Sequence, residues 1–423
     1  MIKKIKILER FKKDELTKSG AMIFAASLIA GFFNYLYQIY MGRALGPEEY
    51  GIFGALFAIF YIINIISQTI GTSTTRFVAK FISDGKNIGF FIKASLKRFI
   101  FIGIIVAMIF YSLKNGLIDV FKLKDHWPII VLSFILFLSW IDPIMNGAVR
   151  GVQLFDKLSF VNASNSFFKL VFGVLFVALG FGVSGALMGV AIGTMADLAM
   201  STIYVKPYIK PNNPHEPEFK FRDFYIYSLP VMIAMIGFSI PGNLDVILAK
   251  YYFSAIDAGI YTSVSTLGKI ILFLPGAIGT IMFPMIIEKT SKGEKIDRIL
   301  AKSLVYTGLL SGTVALLYLL FPTTVMQIFG KGYARGIEIV GLYGMAMFFF
   351  SLTVIFMNYH LAVKNMRYIT FFIGFTVVEV GLLAMFHYSI FEMTDVMVIG
   401  NLILLVASAG YTYRRYIYEV INL

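Results

Sequence analysis

The chain has 423 residues, of which 58% are hydrophobic and 14% charged, and its mean hydropathy is +0.79. That much apolar surface excludes the two or three soluble domains that length alone suggests. The formal net charge is +13, with no cysteine and only four scattered histidines, at His126, His215, His360 and His387. Disulfides, thiolate metal sites and a cysteine nucleophile are excluded, and no metal ligand set is visible.

Residues 1–20 are basic and polar and lack a small-residue cleavage site after a short apolar core, so they read as a cytoplasmic lead-in helix rather than a cleaved signal. Twelve apolar stretches follow, each long enough to cross a hydrocarbon core about 30 Å thick as a helix. They lie near 21–41, 50–72, 96–114, 128–148, 159–181, 182–204, 224–249, 257–287, 300–320, 337–361, 367–387 and 393–413. The predicted class is an all-α integral membrane protein, with a first six-helix half over 21–204, a cytoplasmic link over 205–222 containing PNNPHEP, and a second half over 223–423. With the N-terminus inside, 28 of the 37 Lys and Arg fall on the cytoplasmic side, 7 outside, and Lys169 and Lys269 within spans. The positive-inside rule then puts both termini in the cytoplasm of a cell with a multi-pass plasma-membrane protein. Attraction to anionic lipid headgroups accounts for the positive charge without nucleic acid.

Sliding the chain on itself by 208 residues brings the stretch from Leu45 to Lys86 into register with the second half without a gap. Gly51-Ile52 falls on Gly259-Ile260, Ile70-Gly71-Thr72 on Ile278-Gly279-Thr280, and Ser83 and Gly85 on Ser291 and Gly293. Glycines, threonines and serines in step point to a duplication. Six spans separate the matched helices, so the halves run parallel about an axis along the membrane normal and are expected to enclose a central cavity.

Charges inside a bilayer usually face a cavity or a partner. Here they are Asp142, Lys169, Asp197, Asp245, Lys269 and Glu379. Lys169 and Lys269 suggest a cationic cavity for a phosphate or pyrophosphate headgroup, the alternative being pairing with an aspartate or snorkelling. Arg76, preceded by Thr72, Ser73, Thr74 and Thr75, reads as a phosphate ligand at the cytoplasmic gate or as an interfacial anchor. In SIPGNLDVI, Pro241 and Gly242 predict a helix break with Asn243 and Asp245 on its polar floor. Asn34 and Gln38 occupy the equivalent helix of the first half. Glu379 is a proton or cation carrier, or a partner of Lys269. Gly185, Gly189 and Gly193 recur every four residues and read as a close-packing stripe that pins Asp197 to an interior seam. No phosphate-binding loop is present, so ATP hydrolysis by this chain is not expected.

The stretch GRALGPEEYGIFGAL (42–56) resembles the first outer loop of the polysaccharide-biosynthesis flippases, of the multidrug/oligosaccharidyl-lipid/polysaccharide exporter superfamily. Arg43, Leu45-Gly46-Pro47, Glu49, Tyr50-Gly51 and Phe53 carry the likeness, and Arg76 in TRFVAKF matches an arginine often found after the second span. The loop reads as a tight turn, with Tyr50 as an aromatic-belt residue. The resemblance implies flipping of a polyprenyl-pyrophosphate-linked oligosaccharide by alternating access, with no cofactor beyond a coupling proton or sodium ion. Glycosyltransferases or a polymerase of the same pathway would be partners. The first span offers Asn34 and Gln38 where lipid II flippases have an Arg-Asp pair, which favours a surface-polysaccharide cargo over a peptidoglycan one. The competing readings are a cation-coupled drug exporter of the same superfamily and a membrane glycosyltransferase using Glu48-Glu49. The loop of about eight residues, with no outer domain behind it, argues against the enzyme.

Overall fold

A computed structural model describes residues 2–209, 221–240, 242–291 and 296–421, and most of the inter-half link (210–220) and Pro241 lie outside them. The described residues are helical with no strand, because in hydrocarbon each backbone N–H and C=O needs a partner within its own segment. In chain order the helices are α1 (Ile2–Ser83), α2 (Gly89–Ser112), α3 (Lys114–Phe121), α4 (Trp127–Gly151), α5 (Phe155–Ala178), α6 (Gly182–Val205), α7 (Phe221–Ser239) and α8 (Leu244–Tyr252). They continue as α9 (Ala255–Ser291), α10 (Asp297–Leu320), α11 (Pro322–Met326), α12 (Ile337–Ala362), α13 (Met366–Met385) and α14 (Ile390–Ile421). Nine of these are long and apolar enough to cross a membrane among the described residues. The protein is a multi-pass membrane protein.

The first two expected spans both lie in α1. The eight-residue loop expected between them is a single residue, Gly46, at φ 69° and ψ 172°, with helix on both sides. Only glycine adopts that left-handed extended backbone without strain. Pro47 follows as the first residue of the next helical stretch, where its missing N–H costs nothing. The seventh expected span is likewise two pieces, α7 and α8, parted by residues 240–243.

The chain packs as two compact units that do not follow chain order. Unit 1 comprises residues 1–45 and 60–233, and unit 2 comprises 46–59 and 234–423. In unit 1, α6 lies along α5 and α4. A Cβ on Gly189 would stand 2.6 Å from Gly173 Cα, one on Gly193 2.7 Å from the Asn165 carbonyl, and one on Gly185 2.9 Å from the Phe176 backbone. The stripe therefore faces α5 and lets the two backbones touch, since van der Waals packing is the main attraction between helices in lipid. The first residues of α7 close the other end of this unit: Phe224 is buried with Phe91 and Phe99, and Phe77 stacks on it at 5.7 Å.

In unit 2, α9 packs on α10 and α12, and α12 on α14. Residues 46–59 of α1 are built into this group. Tyr50 is fully buried, stacked on Phe53 at 5.9 Å and set against Phe329 and Tyr333, with its hydroxyl 3.0 Å from Thr266 Oγ1. This overturns the aromatic-belt reading of Tyr50: its partners arrive from residues nearly three hundred positions away.

The glycine stripe makes a stability prediction. Gly189→Ala should destabilise the purified protein by about 1–3 kcal/mol, the usual cost of an overpacked contact. Gly374→Ala, where a Cβ meets nothing within 4 Å, should be neutral or stabilising by up to about 1 kcal/mol through helix propensity. Thermal melting in detergent separates the two.

Candidate functional site

Each unit buries its own polar core, and the residues singled out from the sequence fall into these two. In unit 1, Asn34 on α1 bridges to α5: its Nδ2 donates to Ser166 Oγ at 3.0 Å and to the Ala30 carbonyl at 2.8 Å, while its Oδ1 accepts from Lys169 Nζ. Lys169 is 9% exposed, and its ammonium lies 4.9 Å from the centre of the Tyr37 ring. The Tyr37 hydroxyl donates to the Ala186 carbonyl at 2.7 Å, which fixes the ring under the cation. A neutral amide oxygen and an aromatic face orient the ammonium. Gln38 lies one turn beyond Asn34, half-buried.

Further along the same unit, Asp197 is 4% exposed and accepts from Asn146 Nδ2 at 3.1 Å, Asn165 Nδ2 at 3.3 Å and Ser201 Oγ at 3.1 Å. Asp142 stands beside it, with one buried oxygen lacking a hydrogen-bond partner, and Arg150 faces both carboxyls. Asp142 and Asp197 are thus brought together, whereas Lys169 is held by Asn34.

Unit 2 has the second core. Lys269 Nζ donates to Asn243 Oδ1 at 3.0 Å, and Asn243 Nδ2 donates to the Ser239 carbonyl at 2.9 Å across the break between α7 and α8. Asp245 is fully buried; Tyr343 and Tyr261 donate to its Oδ2 at 2.7 and 3.2 Å. Glu379, 2% exposed, accepts from Asn401 Nδ2 at 3.2 Å. Lys269 thus meets the amide of Asn243, with the Asp245 carboxyl as a charged neighbour. Three oxygens of this core are buried without a hydrogen-bond partner: Asp245 Oδ1, Glu379 Oε2 and Asn401 Oδ1. Gly242 is buried beside the core.

Arg76 sits in neither core. Its guanidinium lies 4.0 Å above the Tyr227 ring, and Arg98 covers Phe221 at 4.7 Å, so both clamp the start of α7. Three of the four hydroxyls expected to assist Arg76 are engaged elsewhere. Thr72 and Thr75 donate to the Gln68 and Gly71 carbonyls, Ser73 meets Ser228 Oγ at 2.6 Å, and Thr74 is buried. The Thr74 hydroxyl has no hydrogen-bond partner among the described residues.

Sequence reading missed Asn146, Asn165, Tyr261, Tyr343 and Asn401. The signal available was a lone amide in an otherwise apolar span, which carries a burial cost of its own.

The chain matches the family described as polysaccharide biosynthesis protein over residues 16–289. It belongs to that family. No curated protein matches it in sequence. Among solved structures, an inward-facing multidrug resistance MATE family transporter of the MOP superfamily shares its fold with TM-score 0.75, at 17% identity, covering 91% of this chain and 94% of that one. The lipid II flippase MurJ, inward closed, aligns with TM-score 0.74 at 13% identity over 93% and 87% of the two chains. A MOP superfamily transporter from Pyrococcus furiosus, described as having a binding pocket of reverse polarity, aligns with TM-score 0.62 at 18% identity over 94% and 95%. This family member therefore has the MOP transporter fold.

The Asp197 core predicts a graded stability series. Asn146→Leu and Asn165→Leu each leave the Asp197 carboxylate short of a charge-assisted bond and should cost about 1.5–3 kcal/mol. Ser201→Ala, at the same 3.1 Å but on the helix of Asp197 itself, should cost less. Denaturation of purified variants measures all three.

Proposed function

We propose that this protein carries a polyprenyl-(pyro)phosphate-linked oligosaccharide across the cytoplasmic membrane by alternating access, for assembly of surface polysaccharide or glycoconjugate. Family membership supports the class of pathway. The observation that carries the substrate class is the Asn34–Lys169–Tyr37 arrangement. A buried lysine oriented by an amide oxygen and an aromatic face is suited to an anionic group, and a lipid-linked sugar phosphate presents one. Lys269 likewise meets an amide oxygen, that of Asn243, in the other unit. The charge bias of the loops supports cytoplasmic termini. The second reading, a cation-coupled drug exporter, is favoured by the likeness to the multidrug transporter.

Purified protein in proteoliposomes should move a fluorescent lipid-linked oligosaccharide between leaflets. Lys169→Ala and Lys269→Ala should each slow this at least tenfold, a loss of about 1.4 kcal/mol or more of cargo or transition-state binding, with normal expression and monodispersity. Full activity in both variants removes the anionic-cargo reading, and transport of organic cations instead would select the drug exporter.

The three bare oxygens of Asp245, Glu379 and Asn401 suit a sodium ion as the coupling species, because hard cations take carboxylate and amide oxygens. Sodium chloride should therefore raise the Tm of the wild type above its value in choline chloride, as any ligand of the native state does. Asp245→Asn and Glu379→Gln should abolish that shift. The same Tm in both salts would leave a proton as the coupling ion.

A further inference from the structure

The turn between α13 and α14 carries rings on its surface. Tyr388 is 91% exposed, and its ring lies within 10° of parallel to that of His387, 6.3 Å between centres. His387 stacks on Tyr252 of α8 at 3.7 Å and 22°. Tyr251, 54% exposed, meets Tyr252 edge-on at 4.9 Å. Four rings from two distant stretches of chain thus form one array within unit 2, with an exposed tyrosine at each end. The turn is held firmly. Glu392 N donates to Ser389 Oγ at 3.2 Å, and Tyr388 N donates to Glu392 Oε2 at 2.8 Å. This reciprocal pairing closes the Ser-x-x-Glu start of α14 and fixes the backbone from which His387 and Tyr388 project.

The first half makes the same turn without these rings. α6 begins at Gly182 and α14 at Ile390, 208 residues on, so the repeat spacing holds here too. At that spacing Leu179 and Gly180 stand in place of His387 and Tyr388, and Arg43 and Ala44 in place of Tyr251 and Tyr252. Closing the helix pair therefore does not require the array. Nor does anchoring at the membrane surface, which uses Trp and Tyr against headgroups. Here a histidine stands in the middle, with one face of its ring covered by a tyrosine.

The array offers flat rings with negative faces, edged by hydroxyls. A pyranose is the complementary shape. One side of the sugar ring presents C–H bonds polarised by the neighbouring oxygens, and its rim presents hydroxyls. Tyrosine supplies such contact area at little cost in conformational entropy. On the orientation proposed above, this turn lies on the outer side, where the glycan of the cargo arrives.

We propose that Tyr251, Tyr252, His387 and Tyr388 form a carbohydrate platform, on which a pyranose of the cargo glycan stacks at the outer side of the membrane. This rests on the transport reading above and gives the cargo a sugar-binding point apart from the buried lysines.

Saturation-transfer NMR tests it, on purified protein in lipid nanodiscs free of glycoside detergent. The probes are methyl β-glucopyranoside, methyl β-galactopyranoside and the methyl β-glycoside of N-acetylglucosamine. At least one should receive saturation, strongest on the protons of one ring face, which for the glucoside are H1, H3 and H5. Tyr388→Leu keeps the apolar bulk, removes the ring face and should cut the signal about fivefold, the scale of one aromatic contact. Tyr388→Trp should retain it. Tyr413→Leu, which removes an exposed tyrosine near the other end of α14, should leave it unchanged. No saturation from the wild type, or full signal in Tyr388→Leu, overturns the platform. Translocation of the fluorescent lipid-linked oligosaccharide is measured on the same wild type in proteoliposomes. Transport without glycoside saturation sinks the platform and leaves the transport reading standing. Ring-face saturation lost in Tyr388→Leu, with no transport by the wild type, supports the sugar site and fails the transport reading.

Discussion

Removing a charge from water into hydrocarbon costs at least about 2.5–3.5 kcal/mol on insertion scales, and the interior of both units is arranged around that cost. Lys169 and Lys269 each meet an asparagine oxygen, while Asp197 and Asp245 collect donors from asparagine, serine and tyrosine hydroxyls. The choice of neutral partners has a chemical result. An ion pair would silence both charges, whereas an amide or a hydroxyl fixes a charged group in place and leaves its sign intact.

The second constraint is clearance. Lipid offers no hydrophobic drive for helices to associate, so contact must come from close van der Waals fit. The glycines of α6 against α5, and Gly51 against Gly259, supply that fit at opposite ends of the chain's organisation. The first set joins neighbours in sequence within one unit. The second joins copies of one duplicated segment and carries the first half of the chain into the second unit. Aromatic packing around Tyr50 then fills the space the glycines leave at their flanks.

Much of this was legible in the sequence because the bilayer imposes long-range order on composition. Apolar runs marked the long helices, and the Gly, Thr and Ser matches at a spacing of 208 marked segments that turn out to touch. The break after Ser239 and the Gly46 turn followed from glycine and proline placement. What was not legible depended on partners distant in the chain. Tyr50 looked like an interfacial tyrosine because Phe329 and Tyr333 could not be assigned to it from local pattern. Asn401 and Tyr343 looked like ordinary span residues because their roles come from Glu379 and Asp245 on other helices. Arg76 had hydroxyl neighbours in sequence, yet helix geometry turns Thr72 and Thr75 back onto carbonyls one turn earlier.

The exchange of residues 46–59 between units bears on how such chains recombine. A crossover placed in the inter-half link would look neutral, since it preserves every helix on each side. It would nevertheless hand the second half of one parent a foreign strap, and the Pro47, Gly51 and Gly54 surface would have to match an unfamiliar α9. Functional chimeras should instead inherit the strap and α9 from the same parent. An ancestral single half that dimerised through this contact would have been an arm-exchanged pair, and later fusion of the two genes would have locked the arm to one neighbour.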